Sequence, residues 1–166
     1  VVGGVAVNLH RYIRMTTDLD IVLEMSDENI RNAISILKAC GFTVKIPVDP
    51  MGLADSRTRA EWMRRKNLKA INFWRRSGRD QIDVIVASPV RFETLQLTRF
   101  RVRGTVYPAA SKPDLIRMKR ETGRDVDARD VEQLKRLIRL EQPASGKARN
   151  SPRRSVGRRR RGVVKA

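Results

Sequence analysis

The chain is poor in the features that staple or anchor a protein. It has a single cysteine, Cys40, so no disulfide can close within it, and a reducing, cytoplasmic setting is the expectation. No apolar run approaches the roughly 18 residues that a membrane-spanning helix requires. The apolar start is short and broken by Gly3, Gly4, Asn8 and His10, so it does not read as a secretory signal, and no membrane partner is expected. Acidic residues are missing altogether after Glu141, whereas nine of the 36 basic residues lie beyond it, from Lys147 to Lys165. The net charge is +18, and 27 basic against 18 acidic residues still leave +9 on residues 1–141. The chain therefore attracts anions even without its end, and a nucleic acid, or a triphosphate in a cleft, is the physical implication. The alternative is that the excess charge serves solubility alone.

At 166 residues the chain is long enough for one domain with a real core. Val1-Val2 reads as the end of a strand whose first residues are absent, as expected of a fragment. Gly3-Gly4 then makes a turn, and residues 5–12 have helical spacing. Residues 19–24 form a short apolar strand. A helix over 28–39 places Ile30, Ala33, Ile34 and Leu37 on one face and stops at Gly41. Residues 42–46 are a strand ended by Pro47, and the loop PVDPMGL leads to an arginine-rich helix over 55–66. Strands at 70–74 and 81–87 flank RRSGRD and make a hairpin. Pro89 is expected to begin a short helix, residues 101–107 a further strand, and residues 112–121 and 127–140 a closing helical pair joined at Gly123. From Pro143 onward there is almost nothing to bury, so a disordered basic tail over 143–166 is expected. The fold class that follows is α/β (α+β): a mixed sheet with flanking helices and a C-terminal helical pair, on one domain over 1–142.

Chemistry concentrates near the start. In a strand, side chains two apart share a face, so Asp18 and Asp20 converge while Leu19 and Ile21 turn to the core. Magnesium takes few carboxylates and completes its octahedron with water and phosphate oxygens, so the pair is a plausible half-site. Asp83, in the apolar run QIDVIV where an unpaired carboxylate is costly to bury, is the natural third acid. Gly3 and Gly4 let the backbone approach a triphosphate, and the helix after them offers free N–H groups. Arg14 is placed to bind phosphate or to pair with Asp18 or Asp20. A D-x-D pair or a Gly-Gly by itself is as well explained by a strand edge or a turn; the order and spacing make the pattern demanding.

The order of VVGGVAVNLHRYIRMTTDLDIVLE, then INFWRRSGRDQIDVIVASP, resembles the polymerase-beta-type nucleotidyltransferase superfamily, and within it a small bacterial branch of abortive-infection and toxin–antitoxin-like enzymes. The segment KPDLIRMKRETGRDVDARDVEQL is similar to the end of that branch, with Lys119, Arg124, Asp127 and Asp130 at the matching positions. The likeness covers about residues 1–140. It implies a nucleotidyltransferase fold and the transfer of a nucleotidyl group from a nucleoside triphosphate to a hydroxyl of RNA, a protein or a small molecule. It also implies magnesium or manganese at Asp18, Asp20 and Asp83; phosphate contacts from Gly3, Gly4, Arg14, Thr17, Lys119 and Arg124; accessory roles for Asp127 and Asp130; and a toxin or antitoxin partner.

The same residues have structural readings. Asp127 suits a helix N-cap, Asp130 the positive end of a helix, and Lys119 a solvated helix face. His10, the only histidine, reads as a packing or polar contact, and Cys40 as a small core residue. Trp62 and Trp74 read as packing residues, with stacking on a base open to either if exposed beside Arg64, Arg65 or Arg75. The competing function is a catalytically inactive protein of the same fold that holds nucleic acid or a partner protein on its basic surface.

The basic end generates a first prediction. If about six of its charges engage duplex DNA, the slope of log affinity against log salt is near −5, and deleting residues 143–166 flattens it. An unchanged slope in a filter-binding salt series places the binding on residues 1–142 instead.

Overall fold

The computed structural model describes residues 1–45, 47–76 and 78–142. The expectation for residues 143–166 lies outside them. Helix α1, Gly3–Leu9, is followed by strand β1, Asp18–Val22. Helix α2, Asp27–Ala39, carries Asp27 and Glu28 in its first turn, buries Ile30, Ile34 and Leu37, and ends before Gly41, whose φ of 81° few other residues adopt. Strand β2 is the three residues Phe42–Val44. The loop beyond it holds a 3-10 turn, Pro50–Ala54, with Pro50, Leu53 and Ala54 buried. Helix α3, Ser56–Lys66, is capped by Asp55, whose carboxylate accepts from the Thr58 N–H at 2.7 Å. Strands β3, Ala70–Arg75, and β4, Gln81–Ile85, form the expected hairpin. Strands β5, Leu97–Val102, and β6, Thr105–Ala110, precede helices α4, Lys112–Arg120, and α5, Asp125–Glu141.

The four-stranded sheet runs β1-β4-β3-β2, with β1 parallel to β4 and the other pairs antiparallel; β5 and β6 make a separate two-stranded sheet. This is the mixed α+β architecture with a closing helical pair. Alternation along the strands divides the apolar residues between two cores. Ile71, Phe73 and Val84 pack under α2 and the 3-10 turn, with Ile21, Ile82 and Trp62 against them. On the opposite face Val22 and Ile85 pack into a cluster built from α1, β6, α4 and α5, centred on Val7, Ala110, Leu115 and Leu134. Val1 and Val2 tie the two sheets together: the Val2 N–H donates to the Asp20 carbonyl and the Ala110 N–H to the Val1 carbonyl, each at 2.9 Å.

Several expectations require correction. The first helix begins at Gly3 itself rather than at residue 5. The strand expected over 81–87 stops at Ile85, because the N–H groups of Val86 and Ala87 both turn to the Lys69 carbonyl, at 2.8 and 3.1 Å. No helix starts at Pro89: the Ser88 hydroxyl bonds both the N–H and the carbonyl of Val90, and only a 3-10 turn, Phe92–Thr94, follows. The single strand expected over 101–107 is a hairpin reversing at Arg103 and Gly104, with φ of 49° and 85°, the paired positive values of a tight two-residue turn. Cys40 caps α2 in an exposed position and is not a core residue.

His10 is buried as a packing and polar contact, edge-on to Phe100 with ring centroids 4.9 Å apart. Its Nε2 lies 2.8 Å from the Ala110 carbonyl, an acceptor only, so this nitrogen carries the proton. Burial holds the imidazole below its ordinary value of 6.5, outweighing the carbonyl, which acts the other way. The unfolded chain therefore takes up a proton before the folded one does, and the stability His10 contributes is present above pH 6.5 and lost as pH falls through and below it. The melting temperature is expected to drop between pH 7.5 and 5.5, and His10→Gln, whose amide can still donate to Ala110, to remove most of that drop. An identical pH profile in the variant overturns this account.

Candidate active site

Strand register assembles the acids. In the parallel pair β1/β4, Asp20 lies opposite Asp83 and Asp18 opposite Gln81, so Asp18, Asp20 and Asp83 share one face. The apolar end of that face, Val22 and Ile85, is covered by the helical core; the acidic end opens into a cleft of about 790 Å³ between the sheet and the start of α5. Burial first, then repulsion from Asp18 and Asp83, pushes the Asp20 carboxyl above its ordinary value, against a hydrogen bond from the Gly4 N–H and the nearby charge of Lys119.

The glycine pair is explained by what packs against it. Gly3 has φ 64°, and a Cβ there would overlap the Asp20 carboxylate; a Cβ on Gly4 would overlap the Thr16 hydroxyl and stand 2.9 Å from Nη2 of Arg14. Both glycines line the cleft, as do Arg14, Lys119 and Arg124. Thr17 does not: it is exposed, its hydroxyl donates to Asp18 Oδ1 at 3.2 Å, and Thr16 takes the place in the wall. Asp83 is held by two amides, with Asn72 Nδ2 and Gln81 Nε2 donating to its Oδ1 at 2.6 and 3.1 Å.

Across the cleft stands a basic wall organised by two buried aspartates on α5. Asp130 accepts from Nε and Nη2 of Arg14, each at 2.9 Å to the nearest oxygen, and lies 2.7 Å from Lys119 Nζ. Asp127 accepts from Lys119 at 2.7 Å and from Thr122 and Arg124 at 2.6 Å each. Burial raises the Asp127 carboxyl, but the bonds from Lys119, Thr122 and Arg124 outweigh it and hold the group at about 2. Three structural readings of the sequence are thereby corrected. Arg14 pairs with Asp130, not with Asp18 or Asp20. Asp127 lies inside the first turn of α5, whose N-cap is Arg124, and its carboxylate serves the ion pairs rather than a cap. Lys119 is buried, not solvated.

Among the described residues no three His, Cys, Asp or Glu side chains close into a ready-made metal cage. The donors nevertheless suit a hard divalent cation: they are carboxylate oxygens only, they open on a cleft with room for water and phosphate, and a cation would relieve the repulsion that lifts Asp20. Comparison with protein-family models and with curated proteins finds no match for the chain.

Asn72 and Gln81 were missed from the sequence, and Thr16 stands in the wall where Thr17 was expected. Gln81 had a signal, since it precedes Asp83 by two in one strand; Asn72 follows only once the hairpin register is known.

Removing one partner from a buried ion-pair network leaves an uncompensated charge. Asp130→Ala, which strands Arg14 and leaves Lys119 with Asp127 alone, is expected to cost about 3–5 kcal/mol in urea unfolding. Asp20→Asn acts the other way: since the fold disfavours the ionised carboxyl, neutralising it is expected to raise the melting temperature at pH 7. A less stable Asp20→Asn protein contradicts the account of the acid cluster.

Proposed function

We propose that the chain is a metal-dependent nucleotidyltransferase that moves a nucleotidyl group from a nucleoside triphosphate to an acceptor hydroxyl. The observation that carries this reading is the face shared by Asp18, Asp20 and Asp83 at the mouth of a cleft whose far wall is basic. In the reaction the acceptor oxygen attacks the α-phosphorus, the bond to the leaving pyrophosphate breaks, and the acceptor proton goes to a carboxylate. Asp83 suits that last role, because Asn72 and Gln81 hold Oδ1 and leave Oδ2 without a partner among the described residues. Magnesium or manganese, when bound at Asp18 and Asp20, supplies charge neutralisation for the phosphates. Arg124, whose side chain is 68% exposed despite its bond to Asp127, is the cation best able to turn toward a triphosphate, with Gly3 and Gly4 admitting the phosphates closely.

A second reading, an inactive protein of the same fold that binds nucleic acid or a partner protein, is favoured by one observation. Arg14, Lys119 and Arg124 are all already engaged by Asp127 and Asp130.

Calorimetric titration with each nucleoside triphosphate in magnesium separates the two. Asp20→Asn is expected to abolish metal-dependent binding while the protein stays folded. Asp83→Asn is expected to keep binding and to lose turnover by about 100-fold or more, the ordinary worth of a positioned base. A wild-type chain that binds no triphosphate with magnesium or manganese fails the enzyme reading and leaves the second in its place.

A further inference from the structure

The acidic face continues past Asp83 along β4, β3 and β2 to residues outside the cleft. Asn72 lies opposite Asp83, Trp74 opposite Gln81, and Thr43 opposite Trp74, so these side chains share the face of the three acids, with Lys45 two residues beyond Thr43. Asn72, Trp74 and Gln81 are half-buried, and Thr43 and Lys45 are exposed. None of the five lines the cleft.

Two features mark this strip as more than a solvated sheet face. Nε1 of Trp74 is the only buried side-chain nitrogen or oxygen without a hydrogen-bond partner among the described residues. A buried donor left without a partner is costly to the fold and calls for an explanation. The second feature is charge: Lys45 Nζ stands 5.6 Å from the Trp74 ring centroid, and the turn just beyond Trp74 exposes Arg76 and Arg79. The one acid of that turn, Asp80, is paired with Arg75. An aromatic ring with one cation over it, two more on the turn that follows and amides on the same sheet face suits a ligand that has flat rings, ring oxygens and phosphates.

We infer that this strip seats the end of a single-stranded nucleic acid. One base stacks on Trp74, the phosphates lie along Lys45, Arg76 and Arg79, and the terminal hydroxyl reaches Oδ2 of Asp83. As an acceptor seat it rests on the nucleotidyl-transfer reading; as a binding surface it does not. The triphosphate then occupies the cleft and the acceptor arrives from the opposite side of Asp83. The acceptor oxygen forms its bond to the α-phosphorus, pyrophosphate leaves with the electrons of the broken bond, and the hydroxyl proton passes to Asp83.

The chain has two tryptophans, so in the full chain with Trp62→Phe the fluorescence reports Trp74 alone. The probe is a ten-nucleotide single-stranded RNA at about 0.3 M salt, where contacts to phosphate alone are weakened. Saturable quenching of Trp74 is expected. By anisotropy of the labelled RNA, Trp74→Leu in the otherwise unaltered chain is expected to bind about tenfold more weakly, the scale of one lost base stack. Trp74→Phe, which keeps a stacking ring, is expected to recover most of the affinity, with magnesium–ATP binding unchanged in both. No quenching, equal quenching by polyglutamate of matched charge, or equal RNA affinity in the Leu and Phe variants overturns the proposal. RNA quenching in a chain that binds no magnesium–ATP overturns the acceptor role together with the transferase reading, and upholds the surface as a nucleic-acid site.

Discussion

The basic wall of the cleft, and its place above the acids, depends on the carboxylate of Asp130. It is fully buried, it takes the fork of Arg14 from the segment before β1, and it shares Lys119 with Asp127. Through it the start of the domain is bound to its end, 116 residues later in the chain. Without that link the first turns of α5 keep the apolar contacts of Val131 and Leu134 and the bonds of Asp127 to Lys119, Thr122 and Arg124, but lose their polar tie to the segment before β1. Two aspartates among three cations leave the group one positive charge in excess, which faces the three acids of the sheet. The ion pairs thus serve geometry more than stability, since desolvation offsets much of the attraction in a buried pair.

The sheet side is the electrostatic opposite. Three like charges are held together by strand register, and Asp20 fills the room that the missing side chain of Gly3 leaves. The fold tolerates this repulsion because the other half of the same strands is apolar and covered: Val22 and Ile85 on one face, Ile21 and Val84 on the other. The cleft thus sets an acidic wall and a basic wall a few side chains apart, with charge of each sign turned toward the space between them.

Much of this was legible in the sequence, and for identifiable reasons. Local signals carried well: the i, i+4, i+7 apolar spacing of Ile30, Ile34 and Leu37 gave α2, and Gly41 and Gly123 marked helix ends. Alternation put Asp18 and Asp20 on one face, and Asp83 was marked as the acid of the apolar run QIDVIV; that it shares their face follows only from the β1/β4 register. The misses were of two kinds. The Arg103-Gly104 turn was overlooked because its flanking strands hold a proline and two arginines and lack a clean alternation. The partners of Arg14, Lys119 and Asp127 were misjudged because a charge next to a helix end has many local explanations, and the decisive contact lies far off in sequence. For Thr17 and Thr16 a one-residue choice decided which hydroxyl met the cleft, a distinction that strand alternation cannot make before the strand has begun.

The parallel pairing of β1 with β4 has a kinetic consequence. Between them the chain must complete α2, β2, α3 and β3, so the pair closes a loop from Val22 to Gln81. The hairpin β3/β4 and helix α2 are local and can form early, whereas β1 is added to the far side of β4 only after the intervening segment has folded back. Asp83 is therefore in place before Asp18 and Asp20 approach it. The repulsion among the three arises in the last step of sheet assembly, when apolar contacts on both faces are available to oppose it. Divalent cations present at that step would speed closure of the sheet rather than its nucleation.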